Sequence, residues 1–194
     1  MDRGYFSLYS KLALFMAIMV TISNFLVQYP VNHFGLDEIL TYGAFSYPIT
    51  FLITDLANRK YGKNQARKIV YIGFLLGIGL TLFFSTNFED LISIRIAIGS
   101  GTAFLTAQLL DVQVFDKLRK KVWFIAPLTS SIIGSFVDTV LFFFIAFYNT
   151  GIPWISLAAG DFLVKIFIAL VMLIPFRLLL NKINDNSDKN FKTI

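Results

Sequence analysis

Residues 123–148, WFIAPLTSSIIGSFVDTVLFFFIAFY, decide the fold because this run of 26 residues contains a single formally charged side chain, Asp138. A bilayer has a hydrocarbon core of about 30 Å, which an α-helix crosses with roughly 20 apolar residues. An ionised side chain near the centre costs about 2.5 kcal/mol or more, so it should face protein or a water-filled cavity rather than lipid. The stretch therefore predicts a membrane-spanning helix with Asp138 as a candidate site residue.

Similar apolar blocks fill most of the chain. Of its 194 residues, 56% are hydrophobic, and the mean hydropathy is +0.69, which is typical of integral membrane proteins. The first block lacks the cleavage site of a signal peptide, so we interpret it as a retained helix. Blocks long enough to span lie near residues 9–29, 40–57, 69–86, 91–110, 123–148 and 156–181. The prediction is an all-α integral membrane protein: a bundle of six transmembrane helices in one transport domain (1–183), followed by a polar, disordered cytoplasmic tail (184–194).

The charges between the blocks predict the orientation. Lysines and arginines cluster at 59–68 and 117–121, whereas the alternate connections carry acidic pairs at 37–38 and 89–90 or, at 149–155, no charge. Basic residues mark the cytoplasmic side, so six spans with both termini inside agree with the pattern. Topology and contact with membrane lipid then account for the net charge of +5, and we predict no nucleic-acid partner because no binding motif accompanies the charge.

Several classes of chemistry are excluded by composition. The absence of cysteine excludes disulfides and thiol catalysis, and the single His33 leaves no imidazole pair for haem or zinc. The sequence contains no G-x-x-x-x-G-K-[ST] phosphate-binding loop, so ATP hydrolysis by that machinery is not expected. We therefore predict no catalytic residues, no metal site and no cofactor.

Deep charges mark the candidate site. Asp138 shares one helical face with serines of its own block, and Asp161 precedes Lys165 by one turn in the sixth block. Packing alone rarely places charges so deep, which makes Asp138, Asp161 and Lys165 candidates for contact with a substrate. In the structural alternative, Asp161, Lys165 and Arg95 neutralise one another and hold the fourth and sixth helices together.

Glycines and prolines give further expectations. Gly73 and Gly77 form a G-x-x-x-G spacing, which predicts a helix-packing face rather than a functional one. Pro48 and Pro127 are expected inside helices, where they would form kinks and free carbonyl groups for a ligand.

Two aspartates lie near the predicted cytoplasmic ends of helices. Asp55 comes just before the basic residues that follow the second block, and Asp111 precedes the basic connection at 117–121. We expect these residues, like Arg95, to have structural or gating roles: a salt bridge at a helix end or a contribution to a cytoplasmic gate.

Seven runs carry a resemblance to a known family: SNFLVQYPV (23–31), YGAFSYPITFLITDL (42–56), ARKI (66–69), RIAIGS (95–100), QLLDVQVFDKLR (108–119), WFIAPLTSSIIGSFVDTVLFFFIAF (123–147) and DFLVKI (161–166). In order and over nearly the whole chain, they resemble the bacterial queuosine-precursor transporters, a branch of the vitamin-uptake group. The resemblance implies about six helices in the bacterial inner (cytoplasmic) membrane. It also implies import of 7-cyano-7-deazaguanine, 7-aminomethyl-7-deazaguanine or both, which are bases used for queuosine in tRNA.

The chemistry of such a base suits the candidate residues. A 7-deazaguanine presents N1–H and N2–H₂ donors, an O6 acceptor and a flat aromatic face. One carboxylate can accept both donors through strong charge-assisted bonds, and Asp138 is the predicted acceptor, with Asp161 as the second choice. Donors for O6 are available from Asn24, Gln28, Gln108 and Lys165, and rings that could stack on the base are available from Tyr47, Phe51, Phe142 and Trp154.

The sequence leaves several alternatives open. Facilitated diffusion, proton-coupled symport through Asp138 or Asp161, and a role as the substrate-capturing subunit of an ATP-driven importer are all compatible with it, although nothing in the sequence indicates an ATPase partner. A membrane enzyme would need a catalytic constellation. A non-transport assembly protein would tolerate neutralisation of Asp138 and Lys165 together.

Overall fold

The computed structural model describes residues 3–33, 40–84 and 88–180, and these residues form a helical bundle. The only β contact among them is an isolated bridge between Pro30 and Thr41, which confirms the all-α prediction. The predicted tail at 184–194 and the acidic residues at 37–38 lie outside the described residues. The helices are α1 (Arg3–Leu26), α2 (Gly43–Ser46), α3 (Pro48–Tyr61), α4 (Lys63–Phe84), α5 (Leu91–Leu118), α6 (Ile125–Phe147) and α7 (Trp154–Leu180).

Five of these helices are long and apolar enough to cross a membrane: α4, α5, α6, α7 and the segment Tyr9–Leu26 of α1. Their outward faces carry large apolar side chains, such as Leu75 (68% exposed) and Phe83 (81% exposed). Such an apolar surface is unfavourable in water and favourable in contact with lipid acyl chains. The chain is therefore a multi-pass membrane protein.

The predicted second block is divided between α2 and α3, which meet at Tyr47. Tyr47 has helical dihedral angles (φ −60°, ψ −39°), and its N–H donates to the carbonyl of Gly43 at 3.1 Å. The chain therefore stays close to helical from residue 43 to residue 61.

The prediction that Pro127 lies inside a helix is wrong, because Pro127 is the third residue of α6. An N–H in the first turn of a helix has no intrahelical acceptor, so a proline there removes no hydrogen bond. Pro48 is the first residue of α3 and lies where the helical segment 43–61 is divided into α2 and α3. The proline that does lie inside a helix is Pro175 of α7.

The predicted glycine face is confirmed where α1 packs on α4. A Cβ atom at Gly77 would lie 2.8 Å from Cβ and Cγ1 of Val20, and one at Gly73 would overlap the side chain of Met16. Because these two glycines have no side chains, the helices approach closely enough for Thr21 of α1 to donate a hydrogen bond to the carbonyl of Gly77 at 3.4 Å. Close backbone approach through small residues is the usual mode of helix association in lipid.

Arg95 joins the start of α5 to the end of α6. Its Nε donates to the carbonyl of Ile145 at 2.9 Å, and its Nη2 donates to the carbonyl of Tyr148 at 2.8 Å. A cation is favourable there because the last carbonyls of a helix are unpaired and carry partial negative charge. The alternative in which Arg95 neutralises Asp161 is therefore wrong, since its guanidinium is bonded to backbone carbonyls at the end of α6 and forms no salt bridge with Asp161 among the described residues.

We predict that Gly77→Ala lowers the free energy of unfolding by about 1–3 kcal/mol, because the added methyl group would overpack against Val20. Gly79→Ala is the matched control, since a Cβ atom at Gly79 meets nothing within 4 Å. The measurement is the melting temperature of each purified variant in detergent. Equal melting temperatures for the two variants would contradict the role of this face.

Candidate functional site

Two aspartates enclose one lysine in the middle of the bundle. Lys165 Nζ lies 2.5 Å from Asp161 Oδ2 on α7 and 2.9 Å from Asp138 Oδ2 on α6. Thr139 completes the group, since its hydroxyl donates to Asp161 Oδ2 at 2.7 Å and lies 3.2 Å from Lys165 Nζ. We call these four residues the charge cluster.

The charge cluster satisfies its lysine more fully than its carboxylates. Lys165 has three N–H donors, and these have three oxygen partners. With all three charged groups ionised, two carboxylates face one ammonium, so the cluster has a net charge of −1. Each of the three charged residues is at most 3% exposed, and a buried charge is tolerated only when it is paired and hydrogen-bonded. The surplus carboxylate is therefore suited to a ligand that donates hydrogen bonds.

A small cavity lies next to the surplus carboxylate of the charge cluster. Its volume is about 20 Å³, which is room for about one water molecule. Asp138 Oδ1 and the hydroxyl of Tyr47 are buried without a hydrogen-bond partner among the described residues, and both residues line this central cavity. Its full lining is Ser23, Asn24, Val27, Gly43, Tyr47, Ser100, Asp138, Phe142, Asp161 and Lys165.

The remaining walls of the central cavity are polar on one side and aromatic on the other. Asn24 donates to Thr81 at 3.0 Å and accepts from Ser100, which joins α1 to α4 and α5. On the other side, the centre of the Tyr47 ring lies 5.0 Å from Lys165 Nζ, within the range of a cation–π contact. The cavity thus presents a carboxylate, an amide and an aromatic ring within one enclosure.

A larger opening lies at the end of the bundle where α1 and α6 end and where α5 and α7 begin. Its volume is about 380 Å³, and we call it the vestibule. Val27 lines both the vestibule and the central cavity, so its side chain lies at the boundary between them. Gln28, one of the predicted donors, lines the vestibule rather than the central cavity.

The structure places three other predicted site residues outside the central cavity. Gln108 donates to Thr50 at 2.8 Å and accepts from Thr54 at 2.5 Å, so both atoms of its amide hold α5 to α3. Phe51 is fully buried against Gly134, where a Cβ atom would lie 2.6 Å from its ring. Trp154 packs on Phe144 and Tyr148 near the start of α7.

Asp55 and Asp111 do not form the salt bridges that the sequence suggested. Asp55 accepts hydrogen bonds from Ser130 at 3.2 Å and from Ser131 at 3.5 Å. Both carboxylate oxygens of Asp111 are buried without a hydrogen-bond partner among the described residues. We call Asp55 and Asp111 the acidic pair.

Thr139 and Ser100 were not among the residues predicted from the sequence. Thr139 directly follows Asp138 and contacts the same lysine, and Ser100 closes the run RIAIGS and contacts Asn24. A hydroxyl on a transmembrane helix can always bond its own backbone. Only the positions of neighbouring helices distinguish such a residue from one that serves a site.

Comparisons with known proteins identify the family of the chain. The protein family described as "Putative vitamin uptake transporter" matches residues 41–180. The queuosine precursor transporter of Escherichia coli (strain K12) is 34% identical over 203 residues, covering 92% of this chain and 91% of the relative. The "Probable queuosine precursor transporter" of Haemophilus influenzae is 35% identical, covering 84% and 82%. A protein of the same description from Bacillus subtilis is 28% identical, covering 94% and 89%.

No solved structure matches the chain. The family match covers most of the chain, and two of these relatives exceed 30% identity over more than four fifths of both sequences. The chain belongs to the bacterial queuosine-precursor transporter family, within the vitamin uptake transporter group.

Proposed function

We propose that this chain imports queuosine precursors, 7-cyano-7-deazaguanine and/or 7-aminomethyl-7-deazaguanine, across the bacterial inner membrane. Two relatives at 34% and 35% identity bear the name of queuosine precursor transporters. The observation that carries the binding mode is the buried Asp138, whose Oδ1 has no hydrogen-bond partner among the described residues and faces a cavity with an aromatic wall. The base is moved unchanged, without catalysis.

The carboxylate of Asp138 accepts the N1–H and N2–H₂ edge of the base. Asp138 Oδ2 is bonded to Lys165, and Oδ1, which lies near the hydroxyl of Tyr47, takes the first new donor. Lys165 remains paired with Asp161 when Asp138 turns toward the base, so the exchange leaves no isolated charge. The O6 atom then accepts from Lys165, Asn24 or the hydroxyl of Tyr47, all of which line the cavity.

Binding requires the central cavity to widen. It has room for about one water molecule, whereas pockets for small molecules are commonly about 300 Å³ or more. The vestibule of about 380 Å³ supplies the missing space, and Val27 separates the two volumes. The base therefore passes the side chain of Val27 to reach Asp138, and the structure corresponds to a closed arrangement of the carrier.

The proposed topology has six spans with both termini in the cytoplasm. The nearly continuous helical segment 43–61 is the span that adds to the five long apolar helices. It rises about 28 Å at 1.5 Å per residue. Basic residues at 59–68 and 117–121 then share the cytoplasmic side. The vestibule opens to the opposite side, from which the substrate arrives.

A chain without cysteine allows a direct test of this topology by single cysteine substitutions. Phe88→Cys and Pro153→Cys should react with a membrane-impermeant maleimide in intact spheroplasts. Asn64→Cys and Lys120→Cys should react only after the membrane is permeabilised, although all four positions are exposed. Labelling of Lys120→Cys in intact spheroplasts would contradict the proposed orientation.

We predict that Val27→Trp lowers the rate of uptake at least tenfold, because a larger side chain would close the boundary between vestibule and central cavity. Ile22→Trp is the matched control, since it places the same side chain on the exposed face of α1, where Ile22 is 42% exposed. Initial rates of uptake of labelled base, normalised to protein level, provide the measurement. Unchanged uptake by Val27→Trp would show that the base reaches the site by another route.

The function is tested in cells that can neither synthesise 7-cyano-7-deazaguanine nor import it. Expression of this chain should restore queuosine in tRNA at low external concentrations of 7-cyano-7-deazaguanine or 7-aminomethyl-7-deazaguanine. Queuosine is measured by mass spectrometry of digested tRNA. Failure of both bases to restore it, with the chain present in the membrane, would overturn the proposed function.

In the same cells, Asp138→Asn should raise the external concentration needed for half-maximal queuosine by about 10–100-fold. An amide would place one donor against the donor edge of the base, and leaving one buried polar group unpaired costs about 1–3 kcal/mol. Asp116→Asn is the control because Asp116 is partly exposed and pairs with Arg119 at the end of α5. Normal uptake by Asp138→Asn at normal protein level would exclude Asp138 as the acceptor.

A further inference from the structure

The acidic pair lies at the opposite end of the bundle from the vestibule, near the ends of α3 and α5 and the start of α6. Asp55 is 2% exposed and Asp111 is fully buried. Thr54 bonds to Gln108 and Asn58 bonds to the carbonyl of Val112, so Asp55 and Asp111, which lie between these contacts, meet at the interface of α3 and α5. Two carboxylates this close, in a region that excludes water, are not both ionised, because each disfavours the charge of the other.

No cation among the described residues neutralises the acidic pair. The nearest arginines are bonded to backbone: Arg119 donates to the carbonyls of Asn58 and Arg59, and Arg59 donates to the carbonyl of Arg119. On α6 the only charged residue is Asp138, which is bonded to Lys165.

The other neighbouring helices also leave the acidic pair without a counter-ion among the described residues. On α7, Asp161 and Lys165 belong to the charge cluster, and Arg177 lies over the ring of Trp123. The side chains of α7 that line a small cavity together with Asp55 are Ala169, Met172, Leu173 and Phe176, all of them uncharged. The basic residues of α4, at positions 63, 67 and 68, lie in its first two turns at the bundle's end and form no salt bridge with Asp55 or Asp111. A proton shared between the two carboxyl groups therefore removes one negative charge and gives one oxygen of Asp111 a hydrogen-bond partner.

A line of hydroxyls on α6 connects the acidic pair to the base site. Ser131 contacts Asp55, Ser135 follows one turn later, and Asp138 follows after one further turn. Ser135 is 1% exposed, and its hydroxyl has no hydrogen-bond partner among the described residues. It lines a cavity of about 10 Å³ together with Asp55 and Ser131, which is close to the volume of one water molecule.

We infer that Asp55 and Asp111 form a proton-binding site, distinct from the base site, that couples import of the base to the inward proton gradient. This inference rests on the proposed function. One proton binds the acidic pair as the hydrogen of a carboxylic acid that donates to its partner carboxylate. It is released as H⁺ to the cytoplasmic side, and the pair is reprotonated through Ser131, Ser135 and the base site in the next cycle.

The test uses the purified full-length chain in proteoliposomes loaded with unlabelled 7-cyano-7-deazaguanine or with buffer alone. Labelled base outside should exchange with unlabelled base inside, and an inward proton gradient at equal sodium should drive accumulation above the external concentration. Asp111→Asn should retain exchange and lose accumulation to the level found without a gradient. Asp55→Asn should do the same, whereas Asp116→Asn should keep both activities.

A second measurement on the unmodified chain does not depend on the folding of any variant. An internal pH-sensitive dye should report acidification when base is added outside, with about one proton entering for each base. Absence of acidification, accumulation driven only by a sodium gradient, or normal accumulation by Asp111→Asn would each overturn the inference. Loss of exchange in the unmodified chain would instead overturn the proposed function, so the two failures are distinguishable.

Discussion

The structure depends on the burial of Lys165 between Asp138 and Asp161. A lysine at this depth has to place its donors on protein oxygens, and the two carboxylates and Thr139 supply three acceptors. These contacts join α6 to α7 and require that the helices facing them be polar at the same depth. The cavity side chains Asn24, Tyr47 and Ser100, from α1, the α2–α3 junction and α5, meet this requirement.

Much of this arrangement could be predicted from the sequence, because placing a charged or polar group in lipid has a high free-energy cost. Long apolar blocks identified the helices, and isolated charges within them identified Asp138, Asp161 and Lys165. Gly73 and Gly77 were predictable as a packing face because small residues allow close approach. Contacts between distant helices were not predictable. Nothing local indicates that Gln108 bonds to Thr50, and the role of Pro127 depended on where its helix begins, to within two residues.

Two acidic centres, the charge cluster and the acidic pair, lie at different depths of the bundle. One centre lies below the vestibule and the other near the basic connections, and α6 contributes residues to both. A shift of α6 along or about its axis would therefore change the surroundings of Asp138 and of the acidic pair together. Carriers that expose a central site to each side in turn need such a shared element. A rigid helix with polar groups on successive turns is such a shared element, and it needs no long-range chain of contacts.

The lysine also explains why a deep carboxylate need not hold its ligand too tightly. If Asp138 were unpaired, a base with two donors would gain two charge-assisted bonds and would be released slowly. In the proposed binding mode, Lys165 already occupies Asp138 Oδ2, so the base would exchange one charged hydrogen bond for others rather than add to an empty site. The lysine can return to Asp138 as the base leaves, so the site is never left with an isolated buried charge. A carrier needs this balance, since transport requires that binding be strong enough to select the base and weak enough to release it.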